Sequence, residues 1–288
     1  MLTKRRAPCY TLGMYPYLFG WERLPTYGVC LAVGLLGAML LFRFLCKKKA
    51  VDDDVYAFYS LLGIISIALG ILGAMLFQSV YDMIERAVSG EKVRFEVGGM
   101  TFMGGLITGV LVFILGTVFF AKGKVKRGFF ACASYAAPCI VLGHFFGRIG
   151  CFCAGCCYGK ATDGPLGVRF PDLPHKVLPT QLFEALFLAA LLAVMLVLLF
   201  RFNQSKLLLP LYGFAYALFR FCIEFARGDE RGTLIPGLTP SQTQSLLLFA
   251  VAAVLTVFLY KLKKIPFANA PLPEESGADE PKIKDNIE

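Results

Sequence analysis

The sequence predicts an all-α fold: a polytopic integral membrane protein of about seven transmembrane helices. Three observations carry this reading. Seven apolar runs, at 27–46, 55–80, 100–121, 129–147, 180–200, 207–226 and 243–260, are long enough to cross a bilayer as helices, because a hydrocarbon core about 30 Å thick needs roughly 20 apolar residues. Hydrophobic residues make up 57% of the 288-residue chain and charged ones 17%, well away from the balance of a soluble domain. Lysine and arginine concentrate in the short connections between runs. A large soluble protein is excluded on the same grounds, since soluble helices keep a polar face.

Each segment is justified in turn. The N-terminal stretch 1–26 carries basic residues with no compact apolar region behind them, unlike a cleaved signal peptide. It is expected as an extracytoplasmic segment. Runs one and two are joined by "CKKKA", three and four by "AKGKVKRG", five and six by "RFNQSK", and the last run exits through "YKLKK". Raw counts of Lys and Arg are similar on the two sides. The density of these short connections places them in the cytoplasm, with the N-terminus out and the C-terminus in. Residues 27–263 form the membrane domain, and the Pro-, acid- and Lys-rich tail 264–288 is expected to be disordered and cytoplasmic. The net charge of +9 suits anionic headgroups at a membrane surface; no nucleic-acid partner is indicated. No repeat of solenoid length is present.

Ionisable residues inside membrane helices are expensive and mark function. Run six reads "LYGFAYALFRFCIEFARGDERG", where Arg220 and Glu224 are four apart on one face and Arg227 continues that side. Run four ends "GHFFGR", placing His144 and Arg148 on one face. Run five begins "LPTQLFEALF", with Gln181 and Glu184 on adjoining turns. An ion pair that only locks helices together, or snorkelling at the boundary, is the competing account. Polar clusters on three separate helices favour a polar site within the bundle. Run three opens "GGMTFMGGLITG". Gly105 and Gly109 suit helix packing, whereas the doublets, Gly104-Gly105 among them, suit a bend or a close approach to a ligand.

Residues 143–159 read "GHFFGRIGCFCAGCCYG" and hold Cys151, Cys153, Cys156 and Cys157. Only Cys153 and Cys156 have CxxC spacing, and no second pair follows to complete a zinc site. A redox pair from Cys153 and Cys156 stays open. The favoured reading has the four thiols line the site without metal or cofactor. Cys30, Cys46, Cys132, Cys139 and Cys222 fall in or near apolar helices and read as small core residues.

Together these pieces resemble the prolipoprotein diacylglyceryl transferase family from Tyr27-Gly28 to about Gln244. "GRIGCFCAGCCYG" is similar to that family's central signature in Gly147, Arg148, Gly150, Phe152 and Gly159. "GGMTFMGG", "LPTQLFE", "LFRFCIEFARGDERG" and "SQTQSL" resemble its other motifs in the right order. Departures accompany the matches. Met103 stands where the family has a histidine, Cys151 and Ala154 where it has asparagines, and Cys156 where it has a glutamate. Leu178, Phe183 and Met75 replace a histidine, a tyrosine and an arginine.

The resemblance implies transfer of a diacylglyceryl group from phosphatidylglycerol to a cysteine thiol of a lipoprotein precursor, in a bacterial plasma membrane. Arg148 and Arg220 are expected to contact phosphate, because a planar guanidinium matches its oxygens and stays charged. His144, Glu184 and Glu224 are the candidate bases. Gly147, Gly150, Gln181, Arg227, Gly104 and Gly105 are the expected lipid contacts. A membrane thiol oxidoreductase or metal-dependent enzyme on the same fold, or a non-catalytic lipid-binding paralogue, are the alternatives.

Overall fold

The structure, a computed structural model, describes residues 25–90, 92–96, 99, 101–171, 173–228 and 238–261. The expectations for residues 1–24 and for the tail 264–288 lie outside the described residues. The elements in chain order are α1 (Thr26–Lys48), α2 (Asp53–Val88), α3 (Phe102–Phe120), the short α4 (Gly123–Arg127), α5 (Phe129–Cys153), α6 (Thr180–Phe200), α7 (Leu208–Ile223) and α8 (Pro240–Lys261). One 3₁₀ turn, Ser205–Leu207, leads into α7 and another, Glu224–Ala226, leaves it. Among the described residues seven helices are long and apolar enough to cross a membrane: α1, α2, α3, α5, α6, α7 with its flanking turns, and α8.

The apolar runs therefore become helices, with one informative difference. Run four was expected to end at 147, but α5 continues to Cys153. The apolar run stops at Arg148 while the backbone does not, because the polar side chains of the last turns find partners on neighbouring helices rather than lipid. At 36 residues α2 is also longer than its apolar run. At 1.5 Å per residue it measures about 54 Å, well beyond a hydrocarbon core.

α5 is the hub. Leu45 and Cys46 of α1, Tyr135, Ala137 and Val141 of α5, Leu188, Leu191, Met195 and Leu199 of α6, and Leu208 of α7 form one buried cluster. The α2–α3 pair joins the bundle through a second cluster at one end, where Val55, Tyr59 and Leu62 meet Cys132 of α5. Along its length the pair is held by small residues: a β-carbon on Gly70 would sit 3.1 Å from Gly105 O, and one on Gly109 3.2 Å from Ser66 O. Close backbone approach replaces hydrophobic drive between helices in lipid.

The termini sort into two ends. Lys49, just after α1, donates to Leu199 O and Asn203 Oδ1, and Lys124 pairs with Asp52 at 3.1 Å, so the lysine-rich connections share one end. The C-terminus of α5, the N-termini of α6 and α8 and the C-terminus of α7 share the other. There the 154–179 connection folds back through isolated antiparallel bridges, Ala161 and Val168 each facing Val177, over a small core of Phe170 and Val177.

Cysteine placement corrects one expectation. Cys46, Cys132 and Cys139 are buried, but Cys222 is exposed and Cys30 is only half-buried. An apolar position in a membrane helix does not imply a core position, because lipid accepts it equally well.

Candidate active site at the end of the bundle

Glu184 is 1% exposed and is the hub of one polar cluster. It sits one turn into α6, between α5 and α7. Its Oε1 lies 2.9 Å from Arg148 Nε and 3.5 Å from His144 Nε2, both on α5. Tyr216 of α7 donates its hydroxyl to the same oxygen at 2.8 Å. His144 stacks edge-on against Tyr216 with ring centroids 4.8 Å apart, and its Nδ1 lies 3.2 Å from the Tyr212 hydroxyl. Arg148 Nε is close to the carboxylate yet off the N–H direction, so it has charge contact without an aligned hydrogen bond. A buried carboxylate needs such compensation, since leaving it unpaired is strongly unfavourable.

Glu224 anchors the second cluster. Its Oε2 lies 3.0 Å from Arg220 Nη2 and 3.7 Å from Arg227 Nε, and Thr239 donates to Oε1 at 3.0 Å. Arg220 Nη2 also donates to Ser241 Oγ of α8 at 2.8 Å. Arg220 Nη1 is buried with no hydrogen-bond partner among the described residues. A buried donor without a partner is costly, and a guanidinium edge in that state is poised for an incoming anion. The two clusters are neighbours, because Tyr216, which donates to Glu184, and Arg220, which pairs with Glu224, are four apart on one face of α7.

The structure therefore brings together Arg148, His144, Glu184, Arg220, Glu224 and Arg227. The expected lipid contacts divide. Gly147 is open on its helix face, its nearest neighbour being Leu31 at 3.9 Å from a built β-carbon. Gly150 packs against Tyr27 and Cys30 of α1, while Gly104 and Gly105 face Phe77, Ala74 and the backbone of α2. All three serve helix packing. Gln181 donates Nε2 to Cys156 O at 2.5 Å and so holds the connection after α5, its Oε1 left without a partner among the described residues. Thr180 does the same for Cys157, donating to its carbonyl at 2.9 Å.

The thiols also divide, against the expectation of a single group. Cys153 lies beside Cys30 of α1. The sulfurs of Cys151, Cys156 and Cys157 lie within 4.8 Å of one another. The CxxC spacing of Cys153 and Cys156 thus does not create a pair. Gly155 at φ +68° and Cys157 at φ +64° turn the chain after α5, which sends Cys156 and Cys157 back toward Cys151. The Cys156 thiol donates to the Cys151 carbonyl at 3.6 Å and closes this turn.

Gly159 has a plain physical role. Its N–H donates to Leu178 O at 2.8 Å, it bridges Arg227, and a β-carbon there would lie 2.6 Å from Ala226 O. Three backbone segments meet with room only for hydrogen.

Sequence reasoning missed Tyr212, Tyr216, Thr239 and Ser241. The spacing Tyr212, Tyr216, Arg220, Glu224 is four throughout, and that stripe on one face of α7 was the available signal.

Such a bundle, with arginines and carboxylates drawn together at one end among lipid-facing helices, defines a multi-pass membrane enzyme. Comparison with known proteins makes the class specific. The prolipoprotein diacylglyceryl transferase family profile matches residues 16–258. Relatives named phosphatidylglycerol–prolipoprotein diacylglyceryl transferase include one from Clostridium tetani, 30% identical over 253 residues, covering 86% of this chain and 96% of the relative. One from Solidesulfovibrio magneticus is 35% identical over 236 residues, 76% of this chain and 84% of the relative. Another from Hydrogenovibrio crunogenus is 36% identical over 224 residues, 73% and 79% respectively. The chain belongs to the prolipoprotein diacylglyceryl transferase family, and it is a multi-pass bacterial membrane protein.

Proposed function

We propose that the chain transfers the diacylglyceryl group of phosphatidylglycerol to the cysteine thiol of a lipoprotein precursor. The observation that carries this is the pair of arginines on different helices, half-buried Arg148 and buried Arg220, each with a buried guanidinium nitrogen not satisfied by an aligned hydrogen bond among the described residues. Fixed cations aimed at a phosphate stabilise the charge that grows on a departing glycerol phosphate. In the reaction the acceptor sulfur forms a bond to the terminal glyceryl carbon. The bond from that carbon to the phosphate oxygen breaks, and its electron pair leaves with glycerol phosphate. The thiol proton is lost to a base, since the thiolate is the nucleophile.

Of the three candidate bases, Glu184 with His144 is better placed than Glu224. Glu224 lies between Arg220, Arg227 and Thr239 and holds Arg220 in position. Glu184 and His144 face each other at 3.5 Å beside Arg148, the proposed phosphate ligand. Met103 has no basic atom, so in this chain the proton passes through the Glu184–His144 pair.

The site faces the outer leaflet, with the N-terminus out and the C-terminus in. This orientation is supported by the lysines at 47–49, 122, 124, 126, 206 and 261, which share the end opposite the site. Purified protein reconstituted with phosphatidylglycerol and a peptide carrying a lipobox cysteine tests the activity. A peptide heavier by one diacylglyceryl group, with an equal amount of released glycerol phosphate, is the expected result. Folded protein that yields neither overturns the proposal.

A further inference from the structure

We infer that Cys151, Cys156 and Cys157 form a binding site for a soft, thiophilic d¹⁰ cation, Cu⁺ held by three sulfurs or Zn²⁺ completed by a water. The three sulfurs lie within 4.8 Å of one another. A metal–sulfur bond of about 2.3 Å places sulfurs about 4.0 Å apart in a trigonal site and about 3.8 Å apart in a tetrahedral one. Closing the triangle on an ion therefore takes less than about 1 Å of movement. Thiolate ligands select this class of ion over magnesium, calcium or manganese.

The triangle is held by its surroundings. Cys151 is on the last turn of α5, and the other two follow a turn whose carbonyls are clamped by Gln181 and Thr180 of α6. Cys156 is exposed, so solvent delivers the ion and supplies a fourth ligand. The remaining polar groups of the transfer site already have roles in the two carboxylate clusters, and nothing in the transfer reaction calls for three thiols.

The test uses full-length protein purified under reductant without oxygen, then dialysed against Zn²⁺ in one arm and against Cu⁺ in the other. One equivalent of metal per chain is expected in at least one arm, and Cd²⁺ should give a sulfur-to-metal charge-transfer band. Cys156→Ser should weaken binding by about 100-fold, no less than the largest loss seen when only an outer-shell partner is removed. Cys153→Ser and Cys222→Ser should retain it. In the unaltered protein Cd²⁺ should also slow alkylation of Cys151, Cys156 and Cys157 relative to metal-free protein, a readout independent of how any variant folds. No bound metal, with all three sulfurs alkylated at the same rate with and without Cd²⁺, overturns the inference. So does undiminished binding in folded Cys156→Ser, or a Cys151–Cys156 disulfide in protein isolated without reductant.

Discussion

Glu184 and Glu224 are both buried carboxylates beside arginines, yet they are built differently. Glu224 takes its arginines from its own stretch of chain, Arg220 one turn before and Arg227 three residues after. Glu184 takes Arg148 and His144 from α5 and Tyr216 from α7. The first arrangement draws its charges from one continuous stretch of chain, with Thr239 and Ser241 adding hydrogen bonds. The second exists only when three helices have docked, so it couples the chemistry of the site to the assembly of the bundle.

The sharpest way to break that contrast is Arg148→Ala. It removes a phosphate ligand and leaves Glu184 short of its cation. Transfer should fall by about 10²–10³-fold, and the folded state should lose about 3 kcal/mol, as when one partner of a buried ion pair is removed. Rate and thermal unfolding in detergent measure the two effects. Glu224→Gln should do less: Ser241 still accepts from Arg220, so about a tenfold loss of rate is expected, the size of one modest hydrogen-bond contribution. Equal losses in the two variants would erase the distinction between the clusters.

Tyr216→Phe is a finer probe. It deletes the hydroxyl that donates to Glu184 without changing the ring that stacks on His144. A hydrogen bond to a charged group contributes about 1.5–3 kcal/mol, and a shift in unfolding of that size would confirm that the carboxylate depends on α7 as well as α5. The smallest effect is expected at the opposite end. Lys124, bonded to Asp52, holds that carboxyl below the usual carboxylate range. A lowered pKa contributes stability above the unfolded value, fading as pH falls through the folded one. Lys124→Ala should therefore leave transfer unchanged and abolish a slight stability difference between neutral pH and about pH 3, readable by thermal unfolding at both.

What was legible in the sequence follows the same division. Seven spans could be read because lipid demands long apolar runs whatever their neighbours are. Arg220 with Glu224, and His144 with Arg148, could be read because spacing of four places residues on one helix face. The meeting of Arg148 with Glu184 could not, because it depends on how far α6 slides along α5, and periodicity carries no information on that register. The fate of the thiols was hidden for a related reason. Spacing suggested Cys153 with Cys156, but the helix continues through Cys153 and the left-handed residues Gly155 and Cys157 turn the chain back, so Cys156 faces Cys151 instead. The glycines show the limit of reading by resemblance. Gly150, Gly104 and Gly105 were expected at a lipid, and helix packing occupies them.

The central claim is that Arg148 and Arg220, on separate helices, hold the phosphate while a thiol displaces it. Its most direct test is the release of glycerol phosphate from phosphatidylglycerol in the presence of a lipobox peptide, measured for the unaltered protein, Arg148→Ala and Arg220→Ala. The account predicts release matched one for one by lipidated peptide, and a loss of at least about 100-fold in each folded variant. Release at an unaltered rate in either variant would contradict it.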